Sequence, residues 1–93
     1  MKAFFVFKKL NFMYFVYVLK SLSSGLHYVG IAKDLGQRLK EHNRGKSRFT
    51  KGHMPWELIY SEGPFETAEA RTKEKYYKTN SGKTYLKEKG LMD

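Results

Sequence analysis

The sequence contains no cysteine, which excludes a disulfide scaffold, a thiolate zinc site and a cysteine nucleophile. That absence is compatible with a reducing cytoplasm, the compartment expected here. It also has no apolar run of the roughly 20 residues that a membrane-spanning helix needs. Histidine is scarce, and His27, His42 and His53 are too scattered to suggest a zinc site by themselves. Acids are few: nine Asp and Glu stand against eighteen Lys and Arg, leaving a net charge of +9 and a pI near 9.8. A polyanion is therefore the expected partner, although charge alone does not separate DNA from RNA or an anionic membrane.

What is present is aromatic and basic. A chain of 93 residues is one domain by length, and such a domain buries only roughly 60–65% of the surface its unfolded chain exposes. Seven Phe, seven Tyr and one Trp supply the dense core this demands, each ring removing on the order of 150–250 Å² from water. Between Arg38 and His53 lie Arg38, Lys40, Arg44, Lys46, Arg48 and Lys51 against the single acid Glu41, with Phe49 among them. The segment from Arg44 to Pro55 reads as a basic loop on one side of the fold, either a nucleic-acid contact or a loop kept soluble by its lysines.

Two stretches imitate other motifs. Lys8-Lys9, the apolar run Leu10 to Leu19 and Ser21-Leu22-Ser23 resemble a signal peptide, but the run is rich in Tyr, Phe and Val and reads as a strand. Gly82-Lys83-Thr84 ends like a phosphate-binding P-loop, yet Tyr77 stands where the first glycine would have to be. Residues 1–12 form an apolar and basic lead-in before Met13, either an extension or the product of an upstream start codon. The domain is expected over residues 13–90. Phe4, Phe5 and Phe7 beside Lys8 and Lys9 leave peripheral membrane binding as a minor third reading; no membrane partner is expected.

Tyr14 to Lys20 and His27 to Ile31, with Ser21-Leu22-Ser23-Ser24-Gly25 between them, read as a β-hairpin of buried strands. Asp34 with Gln37 resembles a capping box, placing a helix from about Leu35 to His42. Trp56 to Ser61 alternates as a half-buried strand ended by Gly63-Pro64. Thr67 is the expected N-cap of a second helix to about Lys78, and Ser81 that of a short third helix ending before Gly90. The order β-β-α-β-α-α predicts an α+β domain, a small antiparallel sheet flanked by helices.

On a helical wheel Leu35 and Leu39 mark the apolar stripe, and Arg38 and His42 fall within about 60° of Leu35. These i and i+4 neighbours would project together toward the sheet. A planar guanidinium suits a phosphate; the plain alternative is an Arg over a core edge and a His filling a gap. Ala70, Glu74 and Tyr77 share a face of the second helix. A carboxylate in that stripe asks for a cation, and Mg²⁺ suits it because it takes one or two carboxylates and keeps its waters. A surface Glu74 to Lys78 pair is the alternative. Tyr17 and Tyr28 share a sheet face if the register is right; they are core aromatics or, beside Arg38, Glu74 and a metal, phenols whose pKa could fall enough to take a proton from water.

Phe15-Val16-Tyr17, Tyr28-Val29-Gly30, Arg38 and Glu74 together resemble the ordered motifs of the GIY-YIG nucleases, over about Tyr14 to Glu88. The chain is most similar to the small stand-alone bacterial members, related to the N-terminal nuclease domain of the bacterial repair excinuclease. The resemblance implies a three-stranded antiparallel sheet, a metal-dependent DNA endonuclease acting in repair or recombination, and one Mg²⁺ or Mn²⁺ ion held chiefly by Glu74. It further implies that Tyr17, helped by His42, activates water, that Tyr28 shapes the site and that Arg38 binds the scissile phosphate. Lys33, Arg44, Lys46, Arg48 and Lys51 are the expected nucleic-acid contacts, in a monomer or weak dimer. Three positions depart from the family pattern: Phe15 for glycine, Ile31 for the lysine of the excinuclease branch, and Leu86 for an asparagine. They keep a catalytically silent nucleic-acid-binding module of the same fold as the rival reading.

Overall fold

Val16 to Leu19 are four consecutive residues at or below 2% exposure. Because successive side chains of a strand point to opposite faces, a sheet with such a strand must be covered on both sides. The computed structural model, which describes residues 13–93, answers with a three-stranded antiparallel sheet of order β2-β1-β3. Strand β1 is Met13–Ser21, β2 is His27–Ala32 and β3 is Trp56–Glu66. Helix α1 spans Leu35–Asn43, α2 Arg48–Lys51, α3 Thr67–Tyr77 and α4 Asn80–Glu88. The lead-in over residues 1–12, with its phenylalanines and the Met13 start it raised, lies outside the described residues.

One face of the sheet, Val16, Val18 and Val29, packs on Ala70 and Tyr77 of α3, Leu86 of α4 and Met92. The other, Tyr17, Leu19 and Ala32, packs on Trp56, with Tyr28, Leu35, Leu39 and Leu58 around it. The expected α+β architecture is thus the observed one, and the polar side chains of interest fall on the second face.

Several local expectations are corrected. The basic segment is not all loop, since Arg48–Lys51 forms the helical turn α2. Strand β3 does not stop at Gly63-Pro64 but runs to Glu66, because irregularities against β1, between Tyr14 and Val16 and between Val18 and Leu19, absorb extra residues. The second of these also breaks the alternation of Trp56, Leu58 and Tyr60: Leu58 packs with Tyr17 and Leu19, whereas Tyr60 joins Ile59 on the opposite core. Helix α3 is capped at Glu66, with Thr67 already its first residue. Helix α4 is capped by Thr79 rather than Ser81: the Thr79 hydroxyl accepts from Gly82 N at 3.0 Å and donates to the Tyr76 carbonyl at 2.6 Å. Asp34 does cap α1, accepting from Gln37 N at 3.0 Å. Only half of the box forms, as the Gln37 side chain turns to Glu41 at 3.4 Å.

Candidate active site

Tyr17 leaves the middle of β1 toward α1 and is 2% exposed. Its register partner is Gly30, and the phenol lies directly over that glycine: a Cβ there would sit 2.5 Å from the Tyr17 hydroxyl oxygen. The glycine of the Tyr28-Val29-Gly30 triplet is therefore a steric requirement of the tyrosine on the neighbouring strand. Tyr28 pairs with Leu19, two places along, so it shares the face diagonally, with its ring centroid 6.3 Å from that of Tyr17. The register anticipated for the two tyrosines is the one that forms.

Helix α1 brings in the other half. His42 is fully buried, its Nε2 lying 2.9 Å from the Tyr17 hydroxyl and its Nδ1 2.7 Å from Thr50 Oγ1. One turn earlier, Arg38 donates to Glu41 Oε1 at 2.9 Å, and its charge lies close enough to the Tyr17 phenol to act on it electrostatically. With the phenol neutral, its O–H has His42 Nε2 as its hydrogen-bond partner. The Glu41 bond raises the Arg38 pKa above its ordinary value, and the guanidinium stays charged while about one third of the side chain faces solvent.

Protonation states follow from burial. Loss of solvent pushes the Tyr17 phenol up to about 12, outweighing the lowering effect of Arg38. The packing by itself thus raises this phenol, because the aromatic contacts that hold it also remove water from it. His42 is driven down to about 4, first by burial and then by the Arg38 charge. At neutral pH the pair is a neutral phenol donating to a neutral imidazole.

That imidazole makes stability depend on pH. His42 titrates near 6.5 in an unfolded chain and near 4 in the fold. Between those values the unfolded chain binds the proton and the folded one does not, so stability rises with pH. The full stability is present above pH 6.5 and falls by up to about 3 kcal/mol as the pH drops to 4. Urea unfolding at pH 7 and 4.5 should show this slope in the wild type and its loss in His42→Asn. An equal slope in both proteins would mean that the imidazole is not buried neutral.

Glu74 comes from α3 and is a border residue: Ala70 and Tyr77 of its stripe are buried, while its own side chain is 25% exposed. It pairs with Lys78 at 3.3 Å, and its charge reaches Tyr17, where it favours the protonated phenol. The surface pair and the approach to the tyrosine thus coexist. Among the described residues no three His, Asp or Glu gather as in an all-protein metal cage. A single partly exposed carboxylate nevertheless fits an ion such as Mg²⁺ that retains several of its waters.

Of the expected nucleic-acid contacts, Arg44, Lys46, Arg48 and Lys51 lie on and around α2, all four exposed to solvent. Lys33 lies apart from them, its ammonium 5.6 Å from the Tyr14 ring. Phe49, 56% exposed, stacks on Tyr28 at 6.0 Å and so carries the basic segment to the edge of the tyrosine pair. The sequence reading missed Thr50, Glu41, Asn43 and Trp56. Asn43 clamps the Trp56 backbone, accepting from its N at 2.7 Å and donating to its O at 3.1 Å. The Trp56 indole then donates to the Thr50 carbonyl at 2.7 Å. No periodicity signals these contacts, which join segments 6 to 13 residues apart.

The profile of the GIY-YIG catalytic domain matches residues 13–88. The chain belongs to the GIY-YIG family. Relatives include the UPF0213 proteins of Staphylococcus aureus strains Mu3, Mu50 and N315, each 39% identical over 79 residues, covering 84% of this chain and 89% of the relative. GIY-YIG membership places the chain in a nuclease superfamily, implies a nucleic-acid substrate and goes with a general dependence on divalent metal ions. Two of the three departures from the GIY-YIG pattern are packing residues: Leu86 is fully buried in the core against Val16 and Val18, and Ile31 packs partly buried against the same cluster. Both belong to the face opposite Tyr17 and His42.

Proposed function

We propose that the chain is a divalent-metal-dependent endonuclease that hydrolyses DNA phosphodiester bonds, with Tyr17, Tyr28, Arg38, His42 and Glu74 as its site. The observation that carries this reading is the 2.9 Å hydrogen bond between the buried Tyr17 hydroxyl and His42 Nε2, with the Arg38 charge close enough to act on both groups. The guanidinium is partly exposed, and the neutral imidazole accepts through Nε2.

Arg38 would take a non-bridging phosphate oxygen with its fork and oppose the charge that builds on the transferring group. The attacking water gives its proton to the Tyr17 oxygen as the Tyr17 proton passes to His42 Nε2. The resulting hydroxide attacks phosphorus in line, and the opposite P–O bond breaks with its electron pair leaving on oxygen. Arg38 also couples binding to this transfer. Its charge is one of the two causes that hold His42 low, so a phosphate that neutralises Arg38 makes the imidazole a better base when substrate is in place. A divalent ion held by Glu74 would add Lewis-acid charge beside the phosphate. Glu74 must then exchange Lys78 for the ion. Tyr28 and Phe49, flanked by Arg44, Lys46, Arg48 and Lys51, give the strand an aromatic and cationic border, and we assign Lys33 to a separate phosphate contact. DNA in the cytoplasm is the substrate this reading favours, in repair or recombination, bound by a monomer or weak dimer; no helix among the described residues is long and apolar enough to cross a membrane.

The test is cleavage of labelled single-stranded, duplex, flap and branched DNA with Mg²⁺ or Mn²⁺. Wild type should cut, and Glu74→Ala should lose at least about 10²-fold in rate while still binding DNA. A Glu74→Ala protein that cut at the wild-type rate would remove Glu74 from the site. Salt-sensitive binding with no cut product under any condition would instead identify a silent binding module.

A further inference from the structure

Thr50 was selected by no motif, yet it is fully buried and touches the site. Its hydroxyl lies 2.7 Å from His42 Nδ1 and 3.5 Å from the Ser47 carbonyl oxygen. We infer that Thr50 is a positioning residue for the reaction proposed above: by accepting the Nδ1 proton it fixes the His42 tautomer that leaves Nε2 free to accept from Tyr17.

The direction of the path is set at its far end. The Ser47 carbonyl can only accept, so the Thr50 hydroxyl donates to it and offers a lone pair to His42 Nδ1. A neutral imidazole with its proton on Nδ1 accepts at Nε2. The Tyr17 hydroxyl lies 2.9 Å from that nitrogen. The path therefore runs Tyr17, His42, Thr50, Ser47, each member donating to the next. An Nδ1–H without Thr50 would be a buried donor with no partner, which the fold would relieve by moving the proton to Nε2. In that tautomer both Nε2 and Tyr17 offer hydrogens to each other, and the base is blocked.

The main chain supports the same assignment. Trp56, 3% exposed, donates its indole hydrogen to the Thr50 carbonyl at 2.7 Å, so the backbone that carries the hydroxyl is held as well as the hydroxyl itself. Thr50 also sits between Arg48 and Lys51 on α2. The short helix that offers cations to a phosphate backbone is therefore the one that orients the base.

The inference rests on the nuclease reading for its catalytic consequence, but the tautomer is measurable without any cleavage. Long-range ¹H–¹⁵N spectra of the full chain at pH 7 should show His42 protonated on Nδ1 in wild type and in Thr50→Ser. In Thr50→Val the Nε2–H form should gain population. In single-turnover cleavage Thr50→Val should lose on the order of 10²-fold in rate with DNA affinity within about twofold of wild type, and Thr50→Ser should recover most of the rate. Wild-type His42 protonated on Nε2 overturns the inference, and this reading needs no variant to fold. An unchanged tautomer in folded Thr50→Val overturns it as well, as does an unchanged rate. If no protein cleaves, the nuclease reading fails while the spectra still decide the role of Thr50.

Discussion

Arg38→Ala is expected to lower single-turnover DNA cleavage by about 10³-fold, at the upper end of what removal of one transition-state donor costs. The size of the effect comes from two roles on one side chain. Arg38 presents a charged fork that is about one third exposed, while Glu41 Oε1 at 2.9 Å holds its other edge, so a phosphate meets a preset donor. The same charge favours the ionised form of Tyr17 and offsets part of the burial effect that holds this phenol near 12. Without it, the Tyr17 oxygen that receives the water proton loses a nearby cation. Arg38→Lys keeps a charge but not the planar fork and should recover little of the rate. The imidazole reports the change independently: removing the Arg38 charge should raise the His42 pKa from about 4 toward its ordinary value, leaving burial as the main cause of what remains. DNA binding should weaken only slightly, because Arg44, Lys46, Arg48 and Lys51 are untouched. A folded Arg38→Ala protein that cleaves within about fivefold of wild type would take Arg38 out of the chemistry.

Gly82→Ala is expected to unfold much of the population at moderate temperature, against the usual sign of that substitution. In an open helix, glycine to alanine gains roughly 1 kcal/mol. Here a Cβ at Gly82 would lie 2.0 Å from the Tyr76 carbonyl oxygen, 2.6 Å from its carbonyl carbon and 2.8 Å from Tyr77 Cα. All three are backbone atoms, so no rotamer change can relieve the overlap, and α4 would have to lift from the end of α3. Lifting it separates Leu86 from Val16 and Val18 in the core and disturbs the Thr79 cap, whose hydroxyl accepts from Gly82 N at 3.0 Å. Overpacking typically costs about 1–3 kcal/mol, and the backbone overlap places this case at about 3 kcal/mol or more. For a domain of this size that corresponds to a fall in Tm of roughly 12–24 °C. Calorimetry or thermal circular dichroism gives the answer, and a Tm at or above that of wild type would mean that the two helices do not approach so closely. The glycine that imitates a phosphate-binding loop in the sequence is thus a contact point between two helices.

The α+β order was legible because its signals are local. Asp34 before Gln37 marks where α1 starts, the β-branched and aromatic run through Tyr17 reads as strand, and Gly25 follows the turn between β1 and β2. Arg38 and His42 could be placed together on one helix edge because i and i+4 positions are neighbours in any α-helix. Elements whose start depends on a distant neighbour were read less well. Thr79 displaces Ser81 as the cap of α4 because its hydroxyl also serves the Tyr76 carbonyl at the end of α3. Strand β3 outruns its Gly63-Pro64 signal because pairing with β1 tolerates extra residues where the ladder is irregular.

The basic charge, the buried strand through Tyr17, and the helical edge carrying Arg38 and His42 can all be read from the order of residues. Each follows from a period of two or 3.6 residues, or from a count of charges, and none depends on what lies across the fold. The protonation of the site, the choice of Thr50, and the identity of Gly30 and Gly82 as close-approach positions come from the folded packing. The pKa of Tyr17 is set by how much water the packed rings exclude, and the partner of His42 Nδ1 by a turn eight residues away that Trp56 holds in place. Desolvation and hydrogen-bond direction are properties of a packed volume, and a linear pattern carries no measure of them.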